Sequence, residues 1–129
     1  MQSPGRRSVV ASRLRSFRAA LTGLGSLLRG EPNARIHAVA ALAVILAGFW
    51  LQVSRLEWCW LLAAIAAVFA TEALNTALES LADAVHPDPH PGVGRAKDAA
   101  AGAVLVVAFA AALVGLLVLG PPLLARLAS

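Results

Sequence analysis

Charged side chains are scarce in this sequence: they make up 14% of its 129 residues, whereas 59% of the residues are hydrophobic. A soluble domain usually carries about 25% charged residues, so the composition indicates an integral membrane protein. The length suggests a single domain over residues 1–129. The net charge of +4 does not indicate a nucleic-acid partner, because the basic residues are not interleaved with the aromatic side chains that stack on bases.

Cysteine is also scarce in this sequence. Cys59 is the single cysteine, which excludes an intrachain disulfide. No signal peptide is expected, because arginines such as Arg13 and Arg18 interrupt any apolar run of the length that a signal peptide needs.

Three long apolar segments predict membrane-spanning helices, at about residues 33–54, 56–85 and 95–120. The sequence SRLE before the second segment matches a helix capping box. The proline- and glycine-rich stretch at residues 86–95 predicts a loop, and Gly120-Pro121-Pro122 predicts the end of the third helix.

An amphipathic helix is predicted before these spans, over about residues 12–30. Its apolar positions recur at steps of three and four, namely Leu14, Phe17, Leu21, Leu24 and Leu28. Arginines flank this stripe, which favours a helix lying on the membrane surface. The alternative is a helix that packs on a partner domain.

The distribution of basic residues predicts the orientation in the membrane. Of the 11 lysines and arginines, nine fall on the side of the N-terminus and of the 86–95 stretch, and only Arg55 and Arg126 fall on the other. The positive-inside rule therefore places the N-terminus and the 86–95 stretch in the cytoplasm. Trp50, Trp58 and Trp60 cluster near the outer turn, where an aromatic belt is expected.

Acidic and amide side chains follow the uncharged stretch at residues 58–70, at Glu72, Asn75, Glu79 and Asp83. Their spacing puts all four on one narrow stripe of a helix. Glu72 lies about 21 Å from Trp58 along the helix, still inside a hydrocarbon core of about 30 Å. An acid at that depth is usually functional; the alternative is a protonated, purely structural Glu72.

Further polar residues are expected at the cytoplasmic rim of the three spans. Carboxylates there suit Mg²⁺, and a lysine suits phosphate. Glu72 lies one to two turns deeper and can act as a general base on the hydroxyl of a lipid. The pattern therefore predicts Mg²⁺-dependent phosphate transfer from ATP to a membrane alcohol. The rim residues are Glu31, Glu79, Asp83, Asp88, His90, Lys97 and Asp98.

Two of these motifs resemble a known family. EALNTALESLAD followed by GRAKDAAAGAVL resembles the signature of the small prokaryotic diacylglycerol kinases. EPNARIHAVAA and LEW are more similar to the undecaprenol kinase branch. The resemblance covers about residues 12–120. It implies a homotrimer of three-span subunits, each with an N-terminal surface helix, and active sites shared between neighbouring subunits.

The resemblance also implies roles for individual residues. Glu72 is the general base on the lipid hydroxyl, and Glu31 and Glu79 hold the Mg²⁺ that bridges the ATP phosphates. The remaining positions bind the nucleotide or support the site: Lys97, Asp98, Asp88 and His90 belong to the nucleotide site, and Asn75 and Asp83 are supporting polar residues. The chain departs from the family pattern at Ser12, where a basic residue is frequent, and at Ala101, where some members carry a small hydroxyl.

Several of these residues also have a purely structural interpretation. Asp98 could cap the third helix, His90 could be an exposed loop residue, and Asp83 a solvated helix end. His37 is interpreted as a packed or interfacial histidine, and Asn75 could be a structural amide between helices. For the whole chain, the rivals to a lipid kinase are a small proton-coupled transporter that uses Glu72 and a non-catalytic assembly subunit. The acceptor, diacylglycerol or undecaprenol, stays open.

Overall fold

Four helices make up residues 6–128, the part of the chain that the computed structural model describes; side chains are described from residue 9 onward. The side chains of Arg6 and Arg7, which were counted for the orientation, lie outside the described residues. The all-α prediction is confirmed. The helices are α1 (Arg6–Gly30), α2 (Pro32–Leu51), α3 (Arg55–Val85) and α4 (Pro91–Leu127).

Helices α2, α3 and α4 are each long and apolar enough to cross a membrane, so the three predicted spans are confirmed. Short connections join them, at residues 52–54 and 86–90. Because the connections are short, the helices run up, down and up. The end of α1, the start of α2, the end of α3 and the start of α4 therefore meet at one end of the bundle.

Helix α1 begins at Arg6, six residues before the expected start at residue 12. Its predicted apolar stripe lies on the exposed surface of the single chain, where Leu14 is 64% and Phe17 66% exposed. Buried Leu27, by contrast, lies near the C-terminus of α1, where the helix contacts α2 and α3.

The turn between α2 and α3 forms from local signals. Gln52 adopts a left-handed conformation with φ 55° and ψ 46° and ends α2 three residues earlier than the expected residue 54. The N–H of Val53 donates to the carbonyl of Gly48 at 3.2 Å, which satisfies a carbonyl at the helix end. The predicted capping box is confirmed: the Ser54 N–H donates to Oε2 of Glu57 at 2.6 Å, and the Glu57 N–H donates to Oγ of Ser54 at 3.3 Å.

Both ends of α4 differ from the expectation. The helix starts at Pro91 rather than at residue 95, because proline suits the first helical position and His90 caps the end: its Nδ1 accepts the N–H of Gly92 at 3.0 Å. At the other end, the helix continues through Pro121 and Pro122 to Leu127. The two prolines remove only two N–H donors, and prolines are tolerated within membrane helices.

The core of the single chain is small. Helix α3 packs most extensively on α4, and its inward face carries Leu61 at 1% exposure, Val68 at 7% and Glu72 at 3%. At the turn between α2 and α3, the ring of Trp58 packs against Gly48 and lies 4.8 Å from the ring of Phe49. Most large hydrophobic side chains on α2, α3 and α4 stay exposed, which is the surface that a hydrocarbon phase or further subunits would cover.

Candidate active site

Glu72 is the buried charged side chain on α3. Its Oε1 lies 3.2 Å from Nε2 of His37 on α2. The contact is at ion-pair distance, but Oε1 accepts no aligned hydrogen bond from the residues that the structure describes. A buried carboxylate without a full set of partners is costly, so this position is typical of a group that is kept for chemistry.

The next turn of α3 carries further polar atoms without partners. Nδ2 of Asn75 donates to Oε1 of Glu79 at 3.3 Å, so the amide supports an acid on its own helix. Within the described chain, Oδ1 of Asn75 and Oγ1 of Thr76 are buried and have no hydrogen-bond partner. Together with Oε1 of Glu72, they are buried polar atoms of α3 whose hydrogen-bonding capacity is unused within the described chain.

Glu31 lies at the junction of α1 and α2, where it is the residue before the first turn of α2. Its side chain does not cap that helix. Instead, Glu31 lines a groove between α1 and α3, opposite Thr76 and Ser80. Glu79, its predicted partner for Mg²⁺, does not line this groove but lies on the adjacent face of α3.

A second groove lies at the loop between α3 and α4. It is lined by Asp83 and Lys97 from the two helices and by Asp88 and His90 from the loop. The structure thus brings together four of the residues that were predicted to bind or support the nucleotide. His86 also lines this groove, and its Nδ1 lies 2.9 Å from the carbonyl oxygen of Asp88.

Lys97 and Asp83 pair across this groove. The ammonium group of Lys97 on α4 donates to Oδ1 of Asp83 on α3. Asp83 is therefore more than a solvated helix end, because it anchors the lysine that was predicted to meet phosphate.

The structure also bears on two of these structural interpretations, those of Asp98 and His90. Asp98 lies seven residues after Pro91, the first residue of α4, so it does not cap that helix; its side chain is exposed and does not line the loop groove. His90 is exposed, but it has a structural contact, because it caps α4 through the N–H of Gly92.

The carboxylates that were predicted to hold Mg²⁺ are present, but they do not form a complete metal site by themselves within the described chain. Among the described residues, no group of three or more His, Cys, Asp and Glu side chains lies close enough together to hold a metal ion. Mg²⁺ usually takes only one or two carboxylates and completes its shell with water and phosphate oxygens. The assignment of Glu31 and Glu79 stays a prediction.

Three polar residues of the site were not predicted from the sequence: His37, Thr76 and His86. A depth comparison could have found His37. It lies five residues after Pro32, or about 7.5 Å along the helix, which is close to the depth of Glu72. Thr76 and His86 carried no comparable signal.

Comparisons with known proteins identify the family of this chain. A family model described as prokaryotic diacylglycerol kinase matches residues 18–119. The chain is similar to an undecaprenol kinase of Bacillus subtilis, at 39% identity over 95% of this chain and 100% of that protein. It is also similar to a diacylglycerol kinase of Synechocystis, at 41% identity over 90% of this chain and 67% of that protein. A diacylglycerol kinase of Escherichia coli is 32% identical over 65% of this chain and 69% of its own length.

The chain therefore belongs to the prokaryotic diacylglycerol kinase family. It is a lipid kinase, an enzyme that phosphorylates an alcohol. Membership in a kinase family argues against the transporter and the assembly-subunit alternatives, because a lipid kinase accounts for an acidic residue on a membrane-spanning helix.

Proposed function

We propose that this enzyme transfers the γ-phosphate of ATP, in the presence of Mg²⁺, to the hydroxyl of a membrane lipid alcohol. The burial of Glu72 carries this proposal. A carboxylate at 3% exposure on a membrane-spanning helix is placed to take the proton of a hydroxyl that arrives from the lipid phase.

The polar groups are arranged along a line that leads inward from the rim. On α3, Asp83 lies about 16 Å and Glu79 about 10 Å from Glu72, at 1.5 Å per residue. The loop groove with Asp83 and Lys97 opens where a water-soluble nucleotide can enter. This order supports a nucleotide at the rim with its phosphates directed towards Glu72.

The donor set fits magnesium. Glu31 and Glu79 supply hard carboxylate oxygens, which Mg²⁺ prefers, and Asn75 holds one oxygen of Glu79 in place. When bound, Mg²⁺ would neutralise the negative charge of the phosphates. Lys97 would add a positive charge, and Asp98, which is exposed near it, would complete the nucleotide site. Asp88 and His90 would contact the nucleotide from the loop.

In the reaction, the lipid hydroxyl attacks the γ-phosphorus and loses its proton to Glu72, while the bond to the leaving ADP oxygen breaks. Positioning and charge neutralisation supply most of the rate enhancement in such transfers. The protein's own contribution is to exclude water at the depth of Glu72 and to hold its carboxylate at the attacking oxygen.

The acceptor is undecaprenol or diacylglycerol, and we favour undecaprenol. The stretch EPNARIH at residues 31–37 is the feature that favours it. The similarity over the full length of an undecaprenol kinase supports this choice. Both acceptors present a primary hydroxyl, so the same base serves either.

We infer a homotrimer in the bacterial inner membrane, with the loop groove facing the cytoplasm. Two observations support assembly and membrane placement. Glu31 and Glu79 do not share one groove within the single chain, and the apolar stripe of α1, with Leu21 at 54% exposure, needs a covering surface. A membrane surface suits this stripe, and a neighbouring subunit could complete the site.

Replacement of Glu72 by glutamine tests the proposal. Glu72→Gln keeps the size of the side chain but removes the base, so ATP binding should stay close to that of the wild type while turnover falls by at least about 100-fold. Glu57→Gln is the matched control, because it neutralises an acid in the first turn of the same helix, and glutamine also suits the capping box. Normal turnover of Glu72→Gln would make the buried acid structural and would contradict the proposal.

A further inference from the structure

His37 is the one polar group that reaches Glu72 from another helix among the described residues. Its Nε2 lies 3.2 Å from Oε1, and the side chains are 24% and 4% exposed. Because α2 and α3 carry the two residues, the contact ties the proposed base to a helix other than its own. The sequence alone predicts only a packed or interfacial histidine at this position.

The surroundings of the imidazole are otherwise apolar. His37 lines one end of a narrow groove between α2, α3 and α4. Every other residue that lines this groove is Ala, Val, Leu, Ile, Phe or Gly. The contact with a charged side chain that the structure gives this ring, within the described chain, is the one with Glu72. Polar groups that are removed from water pair with each other where they can.

We propose that His37 is a positioning residue for Glu72. With the proton on Nε2, the ring faces Oε1 and holds the carboxylate so that Oε2 is presented to the hydroxyl of the acceptor. A base that is held by a third group is a recurrent arrangement in enzymes. The contact is not an aligned hydrogen bond without ligand, and such contacts tighten when substrate is bound. This inference rests on the proposed role of Glu72 as the base.

Three variants of His37 test the proposal. In His37→Gln, the amide nitrogen can reach the position of Nε2; in His37→Asn, it reaches only the position of Nδ1; and His37→Leu offers no donor. Loss of positioning at a reacting centre costs about 100-fold. We therefore expect kcat to fall by about that factor in the Leu and Asn variants, with the KM for ATP unchanged, and to recover in the Gln variant.

Two controls separate positioning from structural damage. Val39→Ala changes a side chain of α2 that is 70% exposed and should leave kcat unchanged. Thermal unfolding in detergent shows whether each variant is folded. Glu72→Asp provides a background in which the carboxylate is already withdrawn from His37, so that His37→Leu should add little further loss there.

The outcomes are distinguishable from failure of the proposed function. A wild-type protein that phosphorylates no lipid acceptor would overturn the role of Glu72 itself. If the wild type is active, His37→Leu with unchanged kcat would overturn only the positioning role. Equal losses in the Gln and Asn variants, or a full additional loss in the Glu72→Asp background, would do the same, because they would show that the histidine acts independently of its contact with Glu72.

Discussion

Lys97 on α4 donates a hydrogen bond to the carboxylate of Asp83 on α3, and this pair closes one side of the groove at the loop between the two helices. The lysine side chain is 31% and the aspartate side chain 69% exposed. Exposed ion pairs stabilise a fold by at most about 1 kcal/mol. The main effect of the pair is therefore to position the ammonium group of Lys97. Its contribution to the stability of the bundle is small.

Replacement of Lys97 tests this interpretation. Lys97→Met keeps the aliphatic stem but removes the charge. A charge-assisted hydrogen bond to phosphate is worth about 1.5–3 kcal/mol, so ATP affinity should fall by about 10- to 100-fold. Asp83→Asn should change the free energy of unfolding by less than about 1 kcal/mol. Equilibrium binding of ATP and thermal unfolding measure the two effects, and an unchanged ATP affinity in Lys97→Met would remove the lysine from the site.

Glu79 is expected to act through magnesium. Glu79→Ala should weaken ATP binding when Mg²⁺ is present and change it little when the metal is chelated, because the carboxylate contacts the nucleotide through the ion. Titrations of ATP with Mg²⁺ and with a chelator measure this difference.

Glu57→Ala is the control for Glu79→Ala. It removes an acid from the same helix, but at the capping box, so it should leave ATP binding alone at both metal conditions. If Glu79→Ala weakens ATP binding equally with and without Mg²⁺, its carboxylate does not hold the metal.

Replacement of Gly48 tests the packing at the turn between α2 and α3. A Cβ built on Gly48 lies 2.7 Å from a ring atom of Trp58, and the ring also packs on Phe49. Gly48→Ala should therefore destabilise the protein by about 1–3 kcal/mol, as overpacking does. Gly102→Ala is the control, because a Cβ there meets nothing within 4 Å and should stabilise α4 by up to about 1 kcal/mol. Unfolding in detergent gives both values, and equal effects would contradict the packing at Trp58.

The three spans could be predicted because hydropathy is a local property of the chain. The boundaries of α4 could not be predicted as well. The local sequence predicts a loop through Pro91, although proline is favoured at the first position of a helix. It also predicts a helix end at Pro121 and Pro122, although membrane helices tolerate proline. At each end of α4, one local rule predicts a loop or a helix end and another permits a helix, and the structure follows the second rule.

For the site, the stripe from Glu72 to Asp83 could be predicted, because helical spacing alone puts its members on one face. Contacts between helices could not be predicted in this way. Whether His37 faces Glu72 depends on how α2 is rotated about its own axis. After His37, α2 is apolar on every side up to Leu51, so no periodic pattern in the sequence determines that rotation. The pairing of Lys97 with Asp83 depends in the same manner on the length of the loop.

The measurement that tests the central claim most directly is a phosphate-transfer assay with the purified protein in detergent. Labelled ATP and Mg²⁺ are supplied with undecaprenol and, in parallel, with diacylglycerol. We predict that label appears in lipid, in greater amount with undecaprenol, and that it is absent with Glu72→Gln. Folded wild-type protein that transfers no label to either lipid would contradict the account.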